Sequence, residues 1–220
     1  VTEFSATLSR RTMLSTAATL ALVGATAGVA PERALAQSAI EAELMKPGTL
    51  PDMVLGKADA PVTIVEYASM TCPHCANWHK TVLPHIKEKY IEPGKVKLIF
   101  REFPLDPLAA AASMLARCAP QDKYFDMTSM FFDQQRTWAH VDDPVSALFN
   151  LVKQVGFTQD SFKACLTNQT LLDGVKESRA RADEKFGVDA TPTFFVNGKK
   201  QKGFSTPDEV DQVLGPLVKS

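Results

Sequence analysis

Val62-Thr63-Ile64-Val65-Glu66-Tyr67 leads through a short spacer into Cys72-Pro73-His74-Cys75, with Trp78, Val82 and Ile86 beyond. The first run is β-branched and nearly continuous in apolar character, which predicts a strand buried on both faces. Cys75, Trp78, Val82 and Ile86 recur three and four apart, the period of one helical face, so a helix follows the strand. Pro73 suits its first turn because the missing N–H has no intrahelical partner there. Pro84 removes a hydrogen bond and predicts a kink or an end, before Pro93-Gly94 closes the unit. Lys95 to Phe103 then alternates Val96, Leu98 and Phe100 with Lys97 and Arg101, a second strand. Strand, helix and strand within about forty residues make a parallel βαβ unit.

Two thiols two residues apart at the head of a helix point to redox chemistry. The thiolate is the reactive form, and unpaired N–H groups at a helix N-terminus stabilise its charge. Cys72 is therefore the candidate nucleophile, with Cys75 held on the buried side. His74 adds positive charge beside a developing thiolate. Cys72, His74, Cys75 and His79 can also be drawn as a zinc set, but His74 lies between the two cysteines and does not easily join them in a tetrahedral site, so no metal is expected.

At 220 residues with 45% hydrophobic, the chain can bury one good core and a small second lobe. A formal net charge of -1 offers no attraction to nucleic acid or to an acidic membrane surface. Ser9-Arg10-Arg11-Thr12-Met13-Leu14 precedes a charge-free stretch reaching Ala30, and Ala34-Leu35-Ala36 stands before Gln37. Basic start, apolar middle and small-residue cleavage site are the parts of an export signal, cleaved after Ala36. The middle is about sixteen residues long and diluted by Thr16, Thr19, Gly24, Thr26 and Gly28, so it is weak as a membrane span. Arg10-Arg11 with Leu14 is similar to a twin-arginine signal, with Met13 where Phe is usual; an ordinary secretory signal is the other reading. Val1 stands where Met is expected, as a literally read start codon or a missing upstream piece would leave it. All four cysteines fall in the mature segment, where export to an oxidising compartment permits disulfides.

Residues 37–61 are turn-rich (Pro47-Gly48, Pro51-Asp52, Gly56) and read as a loose lead-in with an edge strand near Met53 to Leu55. Between 106 and 187 the period changes from two to nearly four. Leu108, Ala112, Leu115 and Ala119 form one stripe, Val145, Leu148, Val152 and Val155 another, and Leu172, Val175, Ala182 and Phe186 a third. Cys118 and Cys165 lie on such stripes and are expected to face a core. Thr193-Phe194-Phe195-Val196, the turn Asn197-Gly198 and Lys199 to Phe204 signal a hairpin, and Thr206 with Glu209 a capping box opening a last helix. His85 is expected at the surface near the kink, and Trp138 with His140 either in the core or on a partner-facing patch.

This order resembles the α/β thioredoxin-like fold with an inserted helical domain, as in the DsbA-like thiol-disulfide oxidoreductases. The resemblance runs from about Val54 to the C-terminus. Its pieces are Val54-Leu55-Gly56 with Asp59-Ala60-Pro61-Val62, Cys72-Pro73-His74-Cys75, Arg101-Glu102-Phe103-Pro104-Leu105, and Thr191-Pro192-Thr193-Phe194 with Asn197-Gly198. Together these readings divide the chain into an export signal over 1–36, a lead-in over 37–61, a thioredoxin-like domain over 62–105 and 188–220, and a helical insertion over 106–187. The resemblance implies a cis Pro192 against the CxxC that frees the backbone of Thr191 to pair with an extended client. Glu66 matches the acid that such folds bury beneath the site, where an apolar setting lets it relay a proton to or from Cys75; the other reading puts it at the strand margin, reaching solvent or a lysine. A Cys118–Cys165 disulfide resembles a subset of the family and is worth on the order of 3 to 4 kcal/mol; two buried free thiols are the other reading. The implied function is an exported oxidoreductase that introduces disulfides into envelope proteins, with no cofactor beyond the Cys72–Cys75 pair. Its partners are reduced client proteins and a membrane partner that reoxidises it. A reductase or isomerase with the same site, or a redox-independent peptide-binding chaperone, are the alternatives; the short lead-in argues against a dimerisation domain.

Overall fold

The computed structural model describes residues 29–218. Arg10-Arg11 and the apolar stretch to Gly28 lie outside those residues. No described helix is long and apolar enough to cross a membrane. The lead-in is more ordered than its turn residues suggest, because helix α1 (Val29–Leu44) occupies its first part and includes Ala34-Leu35-Ala36. No glycine or proline interrupts Glu32 to Lys46, and Ala, Leu, Gln and Glu dominate there, all strong helix formers. Pro47 disfavours helical backbone at Lys46 and sets the limit.

Five strands form one sheet in the order β1-β3-β2-β4-β5. These are β1 (Met53–Leu55), β2 (Val62–Ala68), β3 (Val96–Glu102), β4 (Thr193–Val196) and β5 (Lys199–Lys200). β2 and β3 run parallel, joined by α2 (Pro73–Thr81), α3 (Leu83–Ile86) and a π-helical turn over Lys87–Ile91. Pro84 lies in the first turn of α3, so the break falls just ahead of it at Val82. β1 and β4 pair antiparallel with β3 and β2, and Asn197 and Gly198, with φ of 48° and 87°, turn β4 into β5.

All seven residues of β2 are buried. Val62 and Ile64 pack with Trp78, Val82 and Ile86 and with Val210 and Leu214 of α10 (Pro207–Leu217), while Val65 and Tyr67 face Ala182 and Phe186 of α9 (Gln169–Phe186). Cover on both faces explains the unbroken apolar run. Thr206 and Glu209 form the capping box that opens α10. His85, beside the kink, is partly exposed and bonds Asp211 of α10 at 2.8 Å.

Between β3 and β4 lies a block of helices: α4 (Pro107–Cys118), α5 (Tyr124–Asp133), α6 (Gln135–Trp138), α7 (Pro144–Lys153), α8 (Gln159–Leu166) and α9. Trp138 is fully buried, donating to the Phe131 carbonyl, whereas His140 is exposed. The α7 stripe differs from expectation: Val145 and Val155 are exposed, and Leu148, Leu151 and Val152 make the buried face. Val145 lies in the first turn and Val155 beyond the last, where the helix leaves the core. Cys118 and Cys165 are joined by a disulfide with Cα atoms 6.1 Å apart, tying the end of α4 to α8. Cys165 is buried, but Cys118, at the last residue of α4, is exposed rather than facing the core.

Arg101 and Glu102, adjacent on β3, anchor opposite sides of the sheet. Arg101 bonds Asp52 through two nitrogens at 2.8 and 2.9 Å and donates to the Leu44 and Lys46 carbonyls. Glu102 receives Arg117 of α4 at 2.6 and 2.8 Å and the Tyr124 hydroxyl at 2.8 Å. Arg101→Met strands the Asp52 carboxylate and two carbonyls, and is expected to cost about 3 to 5 kcal/mol in urea unfolding. Replacing Cys118 and Cys165 together by Ala opens a span of 47 residues. The expected loss is about 3 to 4 kcal/mol in the same measurement, with thiol chemistry at Cys72 unchanged.

Candidate active site

The turn after β2 delivers Cys72 as the N-cap of α2, in extended conformation, with Pro73 as the first helical residue. Its N–H donates to the Ser69 carbonyl at 3.0 Å and its carbonyl accepts from Ala76 at 3.1 Å. Gln135 of α6 reaches over and donates to the carbonyls of Met70 and Cys72, at 2.8 and 3.1 Å. Between those residues Thr71 donates its hydroxyl to Asp106, which also caps α4 through the Ala109 N–H. The active-site turn is thus held from the helical block as well as from the sheet.

Cys72 and Cys75 are free thiols, 4% and 0% exposed. Pro73 and His74 are exposed. The Thr191–Pro192 bond is cis, and the Cys72 thiol donates to the Thr191 carbonyl at 3.3 Å. The structure therefore brings together Cys72, Pro73, His74, Cys75, Thr191 and Pro192; Cys118 and Cys165 form a separate crosslink.

The two thiols sit in opposite electrostatic settings. A hydrogen bond from the Cys75 thiol is the main cause that lowers the Cys72 pKa from 9.0 to about 5; Thr191 and the N–H groups of Cys75 and His74 help, and burial opposes them. The Thr191 hydroxyl is buried with no partner beside the neutral thiol, so it is ready to donate to the charged one. Cys75 is pushed far the other way, first by burial, then by its hydrogen bond to Cys72 and by the Cys72 and Glu66 charges. Because its folded value is depressed, Cys72 stabilises the reduced protein fully above the ordinary thiol pKa, and that gain is lost as pH falls through about 5.

Glu66 is completely buried, paired across the sheet with Phe100 and Phe194, and does not reach solvent or a lysine. Its oxygens lie 3.0 and 3.1 Å from Nε2 of His79. His79 thus turns inward to a carboxylate while His74 points out, and among the described residues no group of three or more His, Cys, Asp or Glu side chains can hold a metal ion. Sequence reasoning did not assign His79 this place, although it falls four residues after Cys75 on the same helical face. Gln135, Thr71 and Asp106 were also missed; no periodicity or motif marks Gln135 or Thr71, whereas Asp106 before Pro107 carries the signal of a helix N-cap.

A family model described as Thioredoxin matches residues 49–215. The chain belongs to the thioredoxin-fold family of DsbA-like thiol-disulfide oxidoreductases. Disulfide bond formation protein D of Bacillus subtilis is 30% identical over 171 residues, covering 76% of this chain and 77% of that one. The crystal structure of alpha-DsbA1 from Wolbachia pipientis matches with a TM-score of 0.73 at 34% identity, over 80% of this chain and 95% of that one. BdbD of Bacillus subtilis, in its oxidised form, matches with a TM-score of 0.65 at 28% identity, over 77% and 94%. A Rickettsia typhi chain with a protein-disulfide oxidoreductase name is 32% identical over 77% of this chain and 64% of its own, so this chain spans less than two thirds of that relative's length.

Thiolate absorbance of the reduced DsbA-like chain is expected to titrate with a midpoint near pH 5. Thr191→Val removes one donor and raises that midpoint, while alkylation at neutral pH labels Cys72 and spares Cys75.

Proposed function

We propose that this protein is exported and introduces disulfides into envelope proteins by exchange through Cys72–Cys75. The observation that carries the reading is the opposed setting of the two thiols at the N-terminus of α2, Cys72 lowered to about 5 and Cys75 raised. Whatever stabilises the thiolate stabilises the reduced enzyme, and so makes its disulfide a stronger oxidant.

In the oxidised enzyme a client thiolate attacks Sγ of Cys72. The Cys72–Cys75 bond breaks, its electron pair goes to Cys75, and Cys75 takes up a proton because its thiol is held neutral. The client's second thiolate then attacks the client sulfur of the mixed disulfide, and Cys72 leaves as a stabilised thiolate. Thr191 and cis-Pro192 offer backbone to the extended client, His74 and Pro73 shape the exposed lip, and Glu66 serves Cys75 as a proton acceptor and donor. A membrane redox partner restores the disulfide. The Arg10-Arg11 pattern, the apolar stretch and Ala34-Leu35-Ala36 support export, and an oxidising compartment suits the Cys118–Cys165 crosslink.

The test is a titration of Cys72–Cys75 against glutathione buffers, read by thiol alkylation. A midpoint near the DsbA value of about -120 mV is expected; one near the thioredoxin value of about -270 mV would reverse the assigned direction. Cys72→Ser is expected to lose all disulfide transfer, and retained transfer would remove Cys72 from the mechanism.

A further inference from the structure

The imidazole of His79 has a second nitrogen that the pairing with Glu66 leaves unused. Nε2 faces the carboxylate, whereas Nδ1 is buried with no hydrogen-bond partner. A donor or acceptor buried in that way is costly unless something else meets it. His79 also lines a cavity of about 390 Å³, bounded further by Lys80, Lys87, Glu92, Ser129 and Asp133. Those five residues are exposed, so the cavity opens to solvent, and its volume accommodates several waters. Cys72, Thr191 and Pro192 do not line it.

We propose that His79 carries the proton between buried Glu66 and the solvent in this cavity, giving Cys75 a proton route separate from the client-binding face. The proposal rests on Cys72–Cys75 being the exchanging pair. When Cys75 attacks a mixed disulfide on Cys72, its thiol proton passes to the Glu66 carboxylate. With the His79 ring starting in its Nδ1–H form, Nε2 accepts that proton as Nδ1–H releases one to water, leaving Glu66 ionised and the ring neutral in the Nε2–H form that donates to it. The sulfur chemistry is balanced: the Cys75–Cys72 bond forms, the bond from Cys72 to the partner sulfur breaks, and the partner leaves as thiolate. The same route in reverse supplies the proton that Cys75 takes up when a client opens the disulfide.

The ring sees few other charges. Glu66 faces it from β2, Cys75 and Lys80 share its helix, Lys87 and Glu92 approach from the π-helical turn, and Asp133 from the end of α5. Phe132 at 4.2 Å and Phe100 at 5.9 Å between ring centroids cover it without charge. Glu66 is therefore the group placed to trade a proton with Nε2.

The experiment uses the reduced chain, with Cys118–Cys165 intact, and an aromatic disulfide whose released thiolate is coloured. Attack by Cys72 releases the first aromatic thiolate; attack by Cys75 on Cys72 releases the second. His79→Gln, which can still hydrogen-bond Glu66 but cannot take up its proton, and His79→Ala are expected to keep the first phase and slow the second about tenfold or more. Added imidazole, which fits the space opened by His79→Ala, is expected to restore its second phase and not that of His79→Gln. A wild-type second phase in His79→Gln overturns the relay. So does slowing that imidazole leaves untouched, since His79 would then only support Glu66 structurally. If only His79→Gln folds, the pH profile of its second phase decides, and a profile identical to wild type overturns the relay. Absence of the first phase in the wild-type chain overturns the role of Cys72 and, with it, the relay that rests on it, a failure distinct from a His79 variant that behaves as wild type.

Discussion

The opposed electrostatic settings of two neighbouring thiols organise this molecule. Cys72 can hold a negative charge because the Cys75 thiol donates to it, and Cys75 stays protonated because it is completely buried beside that charge and the charge of Glu66. Neither condition survives alone: a solvated Cys75 would ionise more readily and cease to donate, and a withdrawn Cys72 would lose the helix N-terminus and the Thr191 contact. The sheet buries the second thiol and the start of α2 presents the first.

Keeping two adjacent turns of one helix so different demands a rigid turn before it, and the helical block supplies that rigidity. Gln135 pairs the Met70 carbonyl and gives the Cys72 carbonyl a second donor beside the Ala76 N–H, and Asp106 joins Thr71 to the first turn of α4. The insertion therefore supports the thiol geometry directly. The Cys118–Cys165 bond acts further out, limiting how α4 and α8 separate, and α4 is the helix that carries the Asp106 contact at its start and Arg117 near its end.

The parts of this arrangement legible in the sequence are those set by local rules. The apolar run of β2, the 3.6-residue face after Cys75, the Asn197-Gly198 turn and the Thr206 to Glu209 box each depend on residues within a few positions of one another. What escaped depends on contacts between distant segments. Gln135 lies sixty-three positions from Cys72, and His79 acquires meaning only when α2 is laid over β2. The exposure of Val145, Val155 and Cys118 has the same origin: a helical stripe states which residues share a face, and only packing shows where along the helix that face leaves the core. The helix reaching Leu44 is readable from the propensity of Glu32 to Lys46, whereas the turn residues that follow it point to a loop.

The pair Arg101-Glu102 shows why a short charged motif belongs in a buried strand. Successive residues of β3 point to opposite faces, so Arg101 shares its side with Tyr67 and Glu102 shares its side with Phe100 and Tyr124. Apolar residues at both positions would fill the space and avoid the cost of desolvating ions. They would not choose among neighbours, because apolar contact is non-directional. A guanidinium that needs Asp52 and the Leu44 and Lys46 carbonyls accepts one path for the lead-in, and a carboxylate that needs Arg117 and Tyr124 accepts one seating of α4 and α5. A slip of β3 by one residue would exchange the two faces and leave both charges buried and unmatched. The ions therefore set the register of the strand that lies beside β2, and through β2 they fix where the Cys72 turn begins.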